Sequence, residues 1–290
     1  MTRVSAIAGT WRLGLIGGNI LSSRSPVLHT VCALSVGGNA SYDLIVPAER
    51  GMDFVQLLDH CAGAGFTGVN VTYPHKQDAA AHVPAGDPLV KAMGSANTIR
   101  FTPAGPVAYN TDSTGFHAAF RARFGAMAPG RVLVIGAGGV GRAVSFALAS
   151  LGAGEILLHD SIRDRELALA GDLTAQFPDA AVRSAGPERL ADLGGLDGVV
   201  NCTPLGMTGR PGSPLARGAA GAPAWAFDAV YTPDRTPFRA QTEALGAEFL
   251  PGSDLYFHQG VQAFEIFTGL RPDLDWVRRV LAYPGSGPAP

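Results

Sequence analysis

The chain has 290 residues, 47% of them apolar and 16% charged, and a formal net charge of −2. That length suits two domains of ordinary size or one large one, and the near-neutral charge argues against a nucleic-acid partner. Cys32, Cys61 and Cys202 form no Cys/His cluster, no apolar run reaches membrane-spanning length, and the opening MTRVSAIAGTW is a poor signal peptide, so the reading is a reducing, cytoplasmic protein with no metal site, disulfide framework or membrane partner.

In chain order, strands and helices alternate. RLGLIGG is strand-like, and SPVLHTVCALSV is a helix with Ser25 as its expected N-cap and Pro26 at the first helical position. SYDLIVP is a strand, MDFVQLLDHCAGAG an amphipathic helix ending in glycines, FTGVNVT a strand and HKQDAAAHV a short helix. ANTIRFTPAGPVAYNTD reads as a hairpin around Pro-Ala-Gly-Pro, followed by the helix STGFHAAFRARFG. From Arg131 a second unit begins: strand RVLVIGAGG, helix VGRAVSFALASLG, strand EILLHD, helix RDRELALAGDLTAQF, then the strands DGVVNCTP and AWAFDAVY. TPFRAQTEALG and AEFLPG add a helix and a strand, DLYFHQGVQAFEIFTG and PDLDWVRRVLA two last helices, and the tail YPGSGPAP is expected to fray. The pattern predicts an α/β protein with parallel sheets in two domains.

Gly136, Gly138 and Gly141 have G-x-G-x-x-G spacing between a strand and a helix. In that setting the first glycine permits the tight turn, the second lets a pyrophosphate approach, and the third lets helix and strand pack closely. The loop Gly136, Ala137, Gly138, Gly139, Val140, Gly141 would then present helix N-terminal N–H groups to phosphate. A ligand-free glycine turn is the plainer alternative. Asp160 ends the next strand, nineteen positions after Gly141, where an acidic residue bonds the adenosine ribose hydroxyls of NAD. Two unit charges roughly 4 Å apart at an effective dielectric near 20 repel by about 4 kcal/mol, so a 2′-phosphate would be disfavoured there. Arg163 and Arg165 keep NADP open, and the plainer reading of Asp160 is a helix N-cap.

The chain has twenty arginines but only two lysines, Lys76 and Lys91. Lys76 ends the run NVTYPHK, and Asp112 lies in YNTDSTGF of the same half. An amine flanked by a carboxylate and partly desolvated can serve as acid or base; a structural ion pair is the alternative. Ser23 and Ser25 supply hydroxyls at a strand-to-helix junction, suited to a small carboxylate or to helix capping. Asn70, Thr72, Asn97 and Gln259 are uncharged polar groups at element ends, suited together to a hydroxyl-rich ligand. The seven histidines show no metal-ligand spacing. His75 adjoins Lys76 and could bias it, and Tyr73 and Tyr256 fit either a ligand cleft or the core.

The segments GLIGGNILSSRSPVLH, GVNVTYPHK, GSANTI, YNTDSTGF, VLVIGAGGVGRAV, VVNCTPLGM, VYTPDRTPF and HQGVQAFEIFTG, in this order and across nearly the whole chain, resemble the shikimate dehydrogenase family, including its quinate/shikimate branch. The resemblance implies an N-terminal α/β substrate domain (1–112) completed by C-terminal helices (254–290), with a Rossmann dinucleotide-binding domain (113–253) inserted between them, and reversible oxidation of shikimate to 3-dehydroshikimate. It also implies Lys76 and Asp112 as the catalytic pair and Ser23 and Ser25 as carboxylate-binding hydroxyls. Thr72, Asn97 and Gln259 would contact ring hydroxyls, with Asn70 in support. HDSIRD stands where biosynthetic members carry an Asn-Arg-Thr type motif, and Asp160 there resembles the NAD-using branch. Ser25, in contrast, is typical of shikimate-preferring members, whereas those that take quinate well often carry Thr. The expectation is therefore an NAD enzyme, with NADP possible, acting on shikimate with weaker quinate activity, as a monomer or homodimer. The alternatives are a dehydrogenase of quinate or aminoshikimate and a non-catalytic ligand sensor on the same fold.

Overall fold

In a computed structural model, residues 9–281 are described; the signal-peptide reading of the first residues and the expected fraying of YPGSGPAP fall largely or wholly outside them. The chain divides into two units. One comprises the described residues up to Thr111 together with those from Phe257 onward, and the other is Asp112–Tyr256.

Unit 1 holds β1 (Thr10–Ile16), α1 (Ser25–Ser35), β2 (Asn39–Ile45), α2 (Pro47–Arg50), α3 (Phe54–Gly63), β3 (Gly68–Val71), α4 (Lys76–His82), α5 (Pro88–Met93), β4 (Thr98–Thr102) and β5 (Gly105–Tyr109). Its five-stranded sheet runs β2-β1-β3-β4-β5. β2, β1 and β3 are parallel, whereas β3, β4 and β5 are antiparallel. The sheet of this unit is therefore mixed, with the expected hairpin forming its antiparallel edge. The reason is the Pro-Ala-Gly-Pro hairpin, because a turn this tight can only return the chain antiparallel. Ile16, Ile45, Leu57, Cys61, Val69 and Ile99 form the core between this sheet and α3. Asp53 caps α3 in a reciprocal capping box with Gln56.

Two helices pass between the units along the chain: α6 (Thr111–Phe124) near its first residue and α10 (Gly252–Thr268) after Tyr256. Unit 2 adds β6 (Arg131–Ile135), α7 (Gly139–Ser150), β7 (Glu155–His159), α8 (Arg163–Gln176), β8 (Ala181–Ser184), β9 (Gly198–Asn201), β10 (Trp225–Asp228), α9 (Pro237–Ala244) and β11 (Glu248–Pro251). The final helix, α11 (Leu274–Leu281), belongs to unit 1. The six strands of unit 2 are all parallel in the order β11-β10-β9-β6-β7-β8. This is the doubly wound dinucleotide-binding order, with its switch point between β6 and β9. β9 and β10 are buried along their whole length and β6 is buried after Arg131, as strands covered on both faces must be. Phe116 and Phe120 of α6 pack edge-on against Phe227 and Trp225, and the Trp225 indole donates to Pro129 O at 3.0 Å.

Candidate functional site

In unit 1 the expected substrate residues stand at strand ends. β1 closes on Gly17, whose position would drive a Cβ into the Thr72 side chain, so a glycine there lets the two loops touch. Thr72 N–H donates to Ile16 O at 2.9 Å and Gly18 N–H to Tyr73 O at 3.0 Å. The turn after Thr72 delivers Lys76 as the first residue of α4, half-buried, with its carbonyl accepting from Ala96 N–H at 2.9 Å. His75 is held by Asp78 at 3.0 Å and by stacking on Phe54. Tyr73 is 77% exposed, which removes its core reading.

Ser25 is not the N-cap of α1. Arg24 holds that position without a side-chain cap, and Ser25 already lies within the helix. The correction has a local cause: Ser23 Oγ accepts from Ser25 N–H at 3.2 Å and also lies 3.1 Å from Ser25 Oγ, so Ser23 satisfies the donor a cap would otherwise serve. Both hydroxyls therefore sit together at the mouth of α1.

From Ser25 a polar network runs inward. Tyr42 hydrogen-bonds Ser25 and donates to Asn70 Oδ1 at 2.9 Å. Asn70 Nδ2 in turn donates to Asn97 O at 3.3 Å and Thr98 Oγ1 at 3.1 Å. Asn97 Oδ1 accepts from Thr111 N–H at 2.7 Å, and thereby caps the start of α6, where Asp112 follows as a buried first-turn acid. Gln259, brought back by α10, places Oε1 3.5 Å from both Asn97 Nδ2 and Thr111 Oγ1. His29 completes the set. It is 1% exposed, stacks on Tyr42 at 4.7 Å and hydrogen-bonds the Asn70 side chain. Burial lowers its pKa to about 3, against a smaller opposing effect of the Asn70 bond, so it is neutral. Burial likewise pushes the Tyr42 phenol up, keeping it protonated.

Ser23, Ser25, Asn70, Asn97 and Gln259 thus meet in one network. Tyr42, His29, Thr98 and Thr111 belong to it as well, and the sequence reading missed them. Thr98 and Thr111 lie inside the quoted motifs GSANTI and YNTDSTGF; nothing local marked Tyr42, 28 residues from its partner Asn70.

In unit 2, Gly136 has φ +102° and its N–H donates to His159 O at 2.8 Å. A Cβ at Gly141 would strike Gly136 O, whereas at Gly138, the N-cap of α7, the same direction is open. A close-packed turn with open space at the helix N-terminus fits a pyrophosphate. Asp160 is not a helix N-cap, since Ile162 holds that position on α8. Its Oδ2 accepts from Ala137 N–H and its Oδ1 from Ile162 N–H, each at 2.7 Å, so the acid is tied to the glycine loop itself. Gly139 and Val140 form the first turn of α7, and Arg163 begins α8, exposed. Deeper, Asp228 is fully buried and accepts from Thr236 Oγ1 at 2.6 Å, Asn201 Nδ2 at 2.9 Å and Val230 N–H at 3.0 Å. Burial raises its carboxyl to about 6 despite these donors. Tyr256 is buried and stacks on Tyr231 at 5.1 Å.

Residues 15–99 match the model of the shikimate dehydrogenase substrate binding domain. The chain is 37% identical to a shikimate dehydrogenase (NADP(+)) of Streptomyces avermitilis, over 91% of this chain and 92% of that protein. The chain belongs to the shikimate dehydrogenase family. Within it, a quinate/shikimate dehydrogenase (NAD(+)) of Corynebacterium efficiens is 33% identical, over 92% of this chain and 95% of the relative. The structure of a quinate dehydrogenase from Corynebacterium glutamicum in complex with NAD superimposes with a TM-score of 0.87 at 32% identity, covering 94% of this chain and 99% of that one. Relatives of this shikimate dehydrogenase family member thus carry both cofactor names. Among its described residues no helix is long and apolar enough to cross a membrane.

Proposed function

We propose that the protein is a shikimate dehydrogenase that uses NAD in preference to NADP, with quinate as a weaker substrate. Unit 1 binds the substrate and unit 2 the dinucleotide. The observation that carries the reading is the network joining Ser23 and Ser25 to Asn70, Asn97, Thr111 and Gln259. It offers hydroxyls at one end for a carboxylate and amides at the other for ring hydroxyls, and the turn after β3 leads on to Lys76 at the start of α4. Asn70 has both side-chain atoms engaged within the protein, so its role is to fix Tyr42 and Asn97, while Thr72 and Gln259 face the ligand.

The nicotinamide, when bound, supplies the hydride acceptor. Lys76 takes the proton of the oxidised hydroxyl and returns it in the reverse direction, which an arginine could not do. Asp112 is the second member of the proposed catalytic pair, and general acid–base help of this kind is worth about 10²–10⁴-fold. Gly136 to Gly141 receive the pyrophosphate. Asp160, already on the Ala137 N–H, meets the adenosine ribose, and a phosphate there would face its charge directly. The expected setting is the cytoplasm.

Initial rates with a panel of cyclic hydroxy acids test the substrate. Shikimate should give the highest kcat/KM, with quinate lower. Turnover of quinate above shikimate would move the assignment to the other branch, and turnover of neither would leave a ligand sensor.

A further inference from the structure

The buried face of α8 is formed by Glu166, Leu169 and Leu173, the spacing at which a helix offers apolar side chains to a core. Glu166 breaks that pattern. It is 3% exposed, its Oε2 accepts from the Asp160 backbone N–H at 3.0 Å, and its Oε1 is buried with no hydrogen-bond partner. Burying a carboxyl group with one oxygen unsatisfied costs stability that a leucine there would not. Local rules broken at such a cost concentrate at functional positions.

The neighbourhood shows what the position serves. Glu166 grips the main chain of Asp160, whose two carboxylate oxygens take Ile162 N–H and Ala137 N–H. The chain of contacts therefore runs from α8, through the acid at the end of β7, into the glycine loop. Resting on the reading of Asp160 as the ribose anchor, we propose that Glu166 is a second specificity residue. It positions Asp160 and places a further negative charge behind it, so that an adenosine bearing a 2′-phosphate is rejected more strongly than by Asp160 alone. Arg163 and Arg165 do not offset this arrangement within the core, since both are exposed on the first turn of α8. A charge set behind the contact and shielded from water is screened less than one at the surface.

Glutamine separates the two parts of this role, because Glu166→Gln keeps an oxygen for the Asp160 N–H and removes the charge. Calorimetry on the full chain would measure Kd for AMP and for adenosine 2′,5′-bisphosphate in the wild type, E166Q, E166L and D160N. The readout is the ratio of the two constants, which a loss of folding or of general affinity does not move. E166Q is expected to shift the ratio toward the bisphosphate by roughly tenfold. E166L should do the same even with weaker binding of both ligands, and the kcat/KM ratio of NADP to NAD should follow. A ratio within twofold of wild type in E166Q and E166L, while D160N shifts it, would overturn the role of Glu166 and leave the ribose anchor standing. A ratio that D160N also leaves in place would overturn both.

Discussion

The buried polar groups of the two units differ in kind. Unit 1 holds hydroxyls, amides and the neutral His29 around Asn70 and Asn97. Unit 2 holds the buried carboxyl groups Glu166 and Asp228, the first behind the partly buried Asp160 of the glycine loop and the second joining Asn201 to Thr236. The difference follows from what each unit is proposed to bind. A hydroxyl-rich acid is recognised by neutral donors and acceptors held in fixed directions, whereas a dinucleotide without a 2′-phosphate is selected by negative charge at the ribose. It also sets the buried His29 of unit 1 and the buried Asp228 of unit 2 against each other in acid.

The largest effect that would sharpen this contrast is on chemistry. Lys76→Ala should lower kcat by about 10²–10⁴-fold while the KM for shikimate changes by far less, read by steady-state kinetics under saturating NAD. Near-normal kcat would remove unit 1 from the proton transfer.

Acid comes next. His29 and His258 have pKa values lowered by burial to about 3 and about 4 from the usual 6.5, with Arg278 beside His258 adding to the shift. On unfolding they bind protons that the native state refuses, so stability is full above about 6.5 and is lost as pH falls toward those values. From pH 7 to pH 4.5 His29 alone should cost about 3 kcal/mol. Denaturant melts of wild type and His29→Gln at both pH values check it, the variant losing less. Equal losses in the two proteins would contradict the neutral buried histidine.

Asp228 should act with the opposite sign. Its native pKa, raised to about 6, lets the folded state bind the proton first. Its contribution is therefore present at low pH and is lost as pH rises from about 4 through 6. Over the same interval it offsets about 2 kcal/mol of the histidine loss. Asp228→Asn should steepen the acid destabilisation of the whole chain, and an unchanged pH profile would break the comparison. The smallest expected effect is on substrate choice. Ser25→Thr adds one methyl group beside Ser23 and Tyr42, and should move the quinate-to-shikimate ratio of kcat/KM upward by about tenfold or less.

Unit 2 was the more legible half. Glycine spacing, apolar strands and an acid at the next strand end are local signals, and β6, α7, β7 and α8 lie where they point. The strand β8 carried no such signal, being a short edge strand with little burial. The helix α5 carried caps, Asp87 before Pro88 and Gly94 after Met93, but at six residues it was too short for a period to show. In unit 1 the motifs single out Asn97 and Gln259, yet the network that orders them is hidden in the sequence. Tyr42 and His29 read as ordinary strand and helix residues until the parallel pairing of β1 with β2 and β3 sets Tyr42 beside Asn70. Of the two readings of Ser25, capping is the one that fails; the sequence shows a serine before a proline and not which neighbour already fills the backbone donor.

The most direct measurement is the ratio of kcat/KM for NAD and NADP with shikimate saturating and the wild-type chain. NAD should lead by at least about tenfold, as Asp160 facing a 2′-phosphate requires. A ratio at or below one, with shikimate still turned over, would contradict the division of labour argued for unit 2.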